Sequence, residues 1–283
     1  MGDVKFAVVP QNRFFRAELA NELEKSLDSN TAPVLLLRGI AVNNEATARA
    51  NNVQVLGVDE RFWQLGNSQS FFDTESNVEI VLNRRLAEHL DVGNGDEILL
   101  RVEKTGLLSR DAPLSTDEDS SVAMRLNVKA IASDSDFGRF SLKANQIEPF
   151  NAFLPLSWLQ EKVEFAQRAN MLLVGEKPES KLEIEDVNEA LRNNWKLRDA
   201  NLELRELPEQ DVIEIRTDRV FLDEPLAFAA TKIIPESIEI LTYFVNELRI
   251  DDKATPYSIV TAIDNIDGSF MPSDMRDDEI IIN

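Results

Sequence analysis

Val4-Lys-Phe-Ala-Val-Val9, then Asn12-Arg-Phe-Phe15 leading into Arg16-Ala-Glu-Leu-Ala-Asn-Glu-Leu-Glu-Lys25, decides how the chain is read, because the pattern returns near the other end. There Val212-Ile-Glu-Ile215 alternates in the same way, and Asp218-Arg-Val-Phe221 leads into Leu222-Asp-Glu-Pro-Leu-Ala-Phe-Ala-Ala230. Leu37-Arg-Gly-Ile-Ala-Val42 is echoed by Leu241-Thr-Tyr-Phe-Val-Asn246, and Val53-Gln-Val-Leu-Gly-Val-Asp59 by Ser258-Ile-Val-Thr-Ala-Ile-Asp264. Val78-Glu-Ile-Val-Leu-Asn83 is echoed by Asp278-Glu-Ile-Ile-Ile-Asn283. Each match alone could arise by chance between strand–helix–hairpin segments, and the shared order is what carries the repeat. The expected organisation is a domain-sized module followed by the opening of a second copy.

Composition narrows the function classes. The chain has 283 residues, 43% of them hydrophobic and 15 of them Phe, enough to build a core. Its formal net charge of -21 disfavours nucleic acid and anionic membrane surfaces, which would repel it. Cys is 0, which removes disulfides, thiolate catalysis and cysteine metal sites. The single His, His89, sits in the short helical pattern Asn83-Arg-Arg-Leu-Ala-Glu-His-Leu90 and reads as a surface or boundary residue. With one His, histidine triads and His-rich metal sites lack their parts. No stretch reaches the roughly 18 to 20 apolar residues of a membrane helix, and Val4–Pro10 is too short for a signal-peptide core. The sequence reads as a soluble piece of something longer.

Periodicity supplies the elements. Phe15, Leu19, Leu23 and Leu27 share one helical face, so an amphipathic helix is expected over 12–28. Residues 32–42 and 51–58 read as paired strands, and 59–65 as a short helix capped by Asp59. Strands are expected at 78–82, 97–102, 124–131 and 170–174. Ser180 with Glu183 reads as a capping box for a helix to Trp195, its apolar stripe being Ile184, Val187, Leu191 and Trp195. Residues 197–211 read as a bridge to the second copy. Hairpin-like pairs outnumber strict strand–helix–strand alternation, so the expected class is α+β with mostly antiparallel or mixed sheets.

Catalytic signatures are missing from the sequence. Gly93-Asn-Gly95 runs into Asp96-Glu97, whose charges repel phosphate, and no Gly-x-Ser-x-Gly elbow occurs. Asp117-Glu-Asp-Ser-Ser121 and Asp264-Asn-Ile-Asp-Gly268 lack the spaced ligands of a calcium loop. Acids are plentiful, but nothing singles out a pair for glycoside chemistry. Trp63, Trp158 and Trp195 each lie on an apolar stripe, the pattern of core or interface packing. No catalytic residue, cofactor or metal is expected.

One set of motifs carries a resemblance. Val55-Leu-Gly-Val-Asp59 is followed by Phe62-Trp63, then by Val81-Leu-Asn-Arg-Arg-Leu-Ala87 and Val92-Gly-Asn-Gly-Asp-Glu-Ile98. Together they resemble the MacB-like extracytoplasmic core domain of ABC transporter permeases with an FtsX-like membrane part. In that family a strand ending in Gly-Val-Asp precedes an aromatic, a later strand leads into an Asn/Ser-x-x-Leu-Ala helix, and a Val-Gly-Asp turn opens another strand. Here Asn94-Gly95 is inserted between Gly93 and Asp96. Phe153-Leu-Pro-Leu-Ser-Trp-Leu-Gln160 and Arg168-Ala-Asn-Met-Leu-Leu-Val174 resemble the stretch that returns towards the membrane. The resemblance spans residues 4 to 195. The family pattern has no second copy in the same loop.

The resemblance implies a two-lobed domain. A porter-like α+β lobe would comprise 1–46 with 165–195, a mostly-β lobe 47–164 would be inserted in it, and 196–283 would be linker and partial second repeat. It implies a non-catalytic loop of an exporter or lipoprotein-release permease in an inner membrane. Partners would be the permease's transmembrane region and cytoplasmic ATPase, another permease copy or an extracytoplasmic protein. Phe71, Phe72, Asp117, Glu118 and Asp119 are the candidate contact residues. Two alternatives stand beside this reading: a free periplasmic binding or adaptor protein, and a secreted carboxylate-based hydrolase, which would show two converging acids with raised pKa values. In the second copy, an exposed strand edge is expected at Glu279–Ile282.

Overall fold

The computed structural model describes residues 2–10, 13–72, 79–104, 121–144, 146–177, 181–209, 211–217, 222–263, and positions 272, 275, 276 and 279–281. The chain divides into two units, one of residues 1–106 and 115–203 and one that takes in 204–283.

The first unit opens with β1 (Val4–Val8), β2 (Phe15–Arg16), α1 (Leu19–Leu27), β3 (Thr31–Asn43), β4 (Arg49–Val58) and α2 (Glu60–Leu65). It continues with β5 (Ile80–Asn83), α3 (Arg84–Leu90), β6 (Glu97–Glu103), β7 (Ser121–Ala132), β8 (Asn151–Pro155) and α4 (Leu156–Lys162). β9 (Arg168–Ala169), β10 (Met171–Gly175), α5 (Ile184–Asn194) and a 3-10 turn at Leu197–Ala200 complete it. This is the mixed α+β fold the patterning predicts.

One sheet runs β1-β10-β3-β4-β8-β5-β7-β6, and β6 pairs back onto the far half of β3. Strands β3, β4, β8, β5, β7 and β6 therefore close into a barrel. The pairs β4–β8 and β5–β7 are parallel, while β3–β4, β3–β6, β6–β7 and β5–β8 are antiparallel. Alternate residues point inward, as closure requires. Leu35, Leu37, Val53, Val55, Ile80, Leu82, Ile98, Leu100, Leu126 and Leu154 fill the barrel. Leu156 and Leu159 of α4 pack into one mouth, where Gly57 leaves room: a Cβ there would lie 3.0 Å from Leu159.

β3 belongs to two structures. Its first residues, Thr31 to Val34, pair with β10, and Gly39 to Asn43 pair with β6 on the same edge. The expected lobe boundary at residue 46 follows this strand, which is a full stave of the barrel. Gly39 lies opposite both Val53 and Val102, next to a register shift. A Cβ there would sit 2.8 Å from the Arg101 carbonyl oxygen and 2.8 Å from Val55 Cγ2, so glycine is what lets three strands meet.

Outside the barrel, β1-β10-β3 forms a small antiparallel sheet with α1 and α5 on one side. Leu19, Ala20 and Leu23 of α1 meet Leu172, Val174, Val187 and Ala190. Helix α1 starts at Leu19, not at residue 12, because Phe15 is drawn into β2 opposite Ala169. On α5 the inward face is Val187, Ala190 and Leu191, and Ile184 is exposed. The N-cap is Glu183, whose backbone N–H donates to Asp186 at 2.8 Å, and Ser180 lies outside the described residues. Asp59 caps α2 as read, accepting from the Arg61 N–H at 3.1 Å.

The division falls within β11 (Leu202–Leu207), and the second unit continues with β12 (Val212–Thr217), α6 (Glu224–Ile233), β13 (Ile240–Ile250) and β14 (Lys253–Ile263). Strand, helix and hairpin thus recur in the order the repeat predicts. The described residues 279–281 form no strand, contrary to the expected edge there. Glu279 instead makes a local turn with Arg276. In the first unit the matching segment, β5, is a strand because β7 and β8 flank it; among the described residues of the second unit no such neighbours exist.

Gly39→Ala is expected to destabilise the first unit by about 1–3 kcal/mol, since the new methyl meets backbone and a packed Val. Urea unfolding followed by Trp fluorescence measures it, and a midpoint unchanged from the parent chain would contradict this account of the three-strand junction.

Candidate functional site

The sequence-predicted contact residues fall in different places. Phe71 and Phe72 are half-buried and pack on Trp63, with ring centroids 4.8 and 6.3 Å away. Trp63 is fully buried with Phe62, Phe137, Phe140 and Phe153, on the outer face of the barrel. The cluster comes from α2, which begins after the Gly57-Val-Asp59 strand end; the helix turns Phe62 and Trp63 onto β4 and β8. Edge-to-face rings add to the burial of so large an aromatic surface. The indole N–H of Trp63 has no hydrogen-bond partner among the described residues. Asp117, Glu118 and Asp119 lie outside the described residues.

The motif Asn83-x-x-Leu86-Ala87 has a local reason. Asn83 ends β5 and caps α3, its side-chain oxygen accepting from the Leu86 N–H and the Asn151 N–H at 3.1 Å each. Its amide donates to Pro149 O at 2.9 Å. Leu86, Ala87 and Leu90 then pack on the barrel core. His89 is exposed, as read: Nε2 lies 3.0 Å from Arg49 O and the ring is 4.8 Å from Phe150. Beside α3 lies a surface depression of about 410 Å³ lined by Arg84, Glu88, Asp91 and Ile131 among others.

A polar cluster that the sequence did not announce joins β2, α1 and the 3-10 turn. Asp199 is completely buried. Its Oδ1 accepts from the Arg16 backbone N–H at 2.9 Å and from Arg16 Nε at 3.1 Å, and its Oδ2 accepts from Arg16 Nη2 at 2.8 Å. The Lys196 N–H adds a further bond to Oδ2 at 2.9 Å. The same guanidinium reaches Glu22 at 2.9 Å, and Lys196 Nζ reaches Glu22 at 2.6 Å. Trp195 stands beside the cluster, its ring centroid 6.3 Å from that of Phe15. A buried carboxylate is tolerable here because a fork of donors and two backbone N–H groups satisfy it. No local sequence signal could have found a pairing that spans this much chain; at most, Asp199 reads as a turn-former after Lys196.

The chemistry available is that of ion pairing and packing. The described carboxylates with resolved shifts all move down. Glu22 is held at about 2, first by the hydrogen bond from Arg16. Asp28 is lowered by Lys177, Asp136 by the Ser133 hydroxyl and Glu176 by Lys5. A general acid needs the opposite displacement. Among the described residues, no group of three His, Cys, Asp or Glu side chains could hold a metal, and no helix is long and apolar enough to cross a membrane.

Asp199→Ala strips Arg16 of its buried partner, leaving it only Glu22, and is expected to cost about 3–5 kcal/mol in urea unfolding. The depressed Glu22 pKa sets an acid dependence. Its stabilisation is complete above the ordinary value of 4.5 and lost as pH falls through about 2. Glu22→Gln should therefore flatten the fall in melting temperature over that range. Trp63→Phe removes no hydrogen bond and should cost less than Trp63→Ala, for which about 3–5 kcal/mol is expected; equal losses would contradict this account of the aromatic cluster.

The chain matches no protein-family model and no curated protein. It is similar to solved structures. One is the periplasmic region of MacB from Actinobacillus actinomycetemcomitans, with 12% identity, 80% of this chain and 85% of that chain covered, and a TM-score of 0.41. Another is the extracellular domain of the noncanonic ABC-type transporter YknZ from Gram-positive bacteria, with 11% identity, 75% and 97% covered, and a TM-score of 0.41.

Proposed function

We propose that this chain is a non-catalytic extracytoplasmic domain of an ABC transporter permease, of exporter or lipoprotein-release type. It relays ATP-driven motion from a cytoplasmic ATPase, through the permease's transmembrane region, to cargo or to partner proteins. The observation that carries the reading is how the first unit is rooted. Its opening and returning segments are tied repeatedly, by the β1–β10 and β2–β9 pairings, by α1 against α5, and by Arg16 with Asp199. The filled barrel lies between them in sequence. A body bound together at its root and packed solid beyond it transmits displacement without needing a reactive group.

In this reading residues 1–46 with 165–195 serve as the root lobe, 47–164 as the inserted lobe and 196–283 as linker and partial second repeat. Phe71, Phe72 and Asp117–Asp119 are offered as contact regions of the inserted lobe. The motif residues support the assignment, since Gly57-Val-Asp59, Asn83 and Val92 each occupy a strand end, cap or turn that the barrel requires.

Location gives the direct test. The chain has no cysteine, so Ser157→Cys on the exposed side of α4 supplies one thiol to the domain. In the full-length gene product, a membrane-impermeant maleimide added to intact spheroplasts is expected to label that thiol. Labelling that appears only after lysis would overturn the extracytoplasmic reading.

A further inference from the structure

The outer wall of the barrel is covered on one stretch of β3 and bare on the next. Leu37, Ala41, Leu100 and Met124 point into the core, so their alternates on β3, β6 and β7 point out. Early in β3 the outward Val34 and Leu36 pack with the Trp63 cluster. Beyond them come Arg38, Ile40 and Val42. The registers set their neighbours in rows. Val42 lies between Arg49 and Leu99, and Leu99 is followed by Arg125 on β7. In the adjoining row Ile40 lies opposite Arg101, and Arg101 opposite Ala123.

This wall has an apolar centre and a cationic rim. Ile40, Val42 and Leu99 are half-buried and join none of the apolar clusters among the described residues. Arg38 and Arg101 are exposed, and among the described residues neither side chain has a hydrogen bond or ion pair. Arg49 reaches only Asn51, at 2.9 Å. Arg125 holds Glu97 at 3.0 Å, in an exposed pair of little worth. Glu103 is the other acid of these strands' outer face. Arginines thus outnumber acids here, in a chain whose net charge is -21. An apolar centre inside a charged rim is the anatomy of an interface, and arginine is the cation such surfaces favour.

Charge and spacing specify the occupant. Arg38 is one diagonal step from Arg101 across neighbouring strands, about 7–8 Å. Side chains on one face of an extended peptide repeat at about 7 Å. Acids at positions i and i+2 therefore reach both arginines, and apolar side chains further along the same face meet Ile40, Val42 and Leu99. A nucleic acid or an anionic bilayer would bring many phosphates against the whole negative chain and nothing apolar at their level. A short segment brings two or three carboxylates, which feel the near arginines more than distant acids beyond a Debye length of about 8 Å.

We infer that the outer wall formed by Arg38, Ile40, Val42, Leu99 and Arg101 docks an extended acidic segment of a partner polypeptide, with carboxylates on the two arginines and apolar side chains on the centre. Paired forks of Arg38 and Arg101 supply orientation, and covering the apolar centre supplies affinity. The wall lies wholly within the first unit, and the inference stands independently of the transporter reading.

The probe is a fluorescein-labelled peptide, Glu-Ser-Glu-Ser-Leu-Ser-Leu, titrated into the full chain and followed by anisotropy. Saturable binding that weakens with salt is expected, and the same peptide with Gln for Glu should bind about tenfold or more weakly. Arg38→Gln with Arg101→Gln should weaken the acidic peptide to a similar degree at an unchanged urea midpoint. Arg84→Gln with Arg192→Gln removes the same charge from exposed sites elsewhere and should leave binding intact. Absent binding, equal binding of the two peptides, or equal loss in the two variants overturns the inference. So does binding that appears only once Asp117, Glu118 and Asp119 are replaced by their amides, since the chain's own loop would then be the occupant. Sedimentation with phosphatidylglycerol vesicles, or self-association, that Arg38→Gln with Arg101→Gln abolishes would assign the wall to a lipid surface or to a second copy, and would overturn it equally.

Discussion

The root of the first unit waits on β10. Among the described residues neither β1 nor the start of β3 pairs with another strand, so both depend on five apolar residues, Met171 to Gly175, that arrive after the whole barrel has been written. Asn170 extends the same union with its side chain, accepting from the Leu36 N–H at 2.7 Å and donating to Leu36 O at 2.8 Å. Closing so long a loop costs chain entropy before any contact repays it, and folds built this way are slow to form. Once formed, the strand is buried on both faces, with Leu173 in one apolar cluster and Leu172 and Val174 in another.

Much of this was legible in the residues. Strand and helix positions follow from alternation and from i, i+4 spacing, and the Asp59 cap falls where it was placed. His89 lies on the surface, and the strand–helix–hairpin order recurs in the second unit. Local chemistry determines all of these, so a short window suffices. The failures have the opposite cause. Phe15 leaves the helix for β2 because Ala169 is there to pair with it, and a window around Phe15 cannot contain Ala169. The barrel closure needs β6 to find β3, and Asp199 needs Arg16. Ile184 has the spacing of the buried stripe but is exposed at the first turn of α5.

The segment after Asp278 teaches the same lesson in reverse. Its residues match Val78–Asn83 in apolar content, yet the described ones, 279–281, form no strand while Ile80–Asn83 do. A strand is a relation between neighbours, and β5 has β7 on one side and β8 on the other.

The Arg16–Asp199 cluster has a mechanical consequence. Val4 and Gly175 face each other in the antiparallel β1–β10 ladder, so traction applied there to both strands would unzip the rungs one at a time. The carboxylate of Asp199 sits further along the outgoing chain and grips Arg16 by backbone and side chain together. Traction on residues 201–203 loads several bonds of this clasp in parallel before reaching Gly175, so on the outgoing side the ladder is shielded until the clasp gives way.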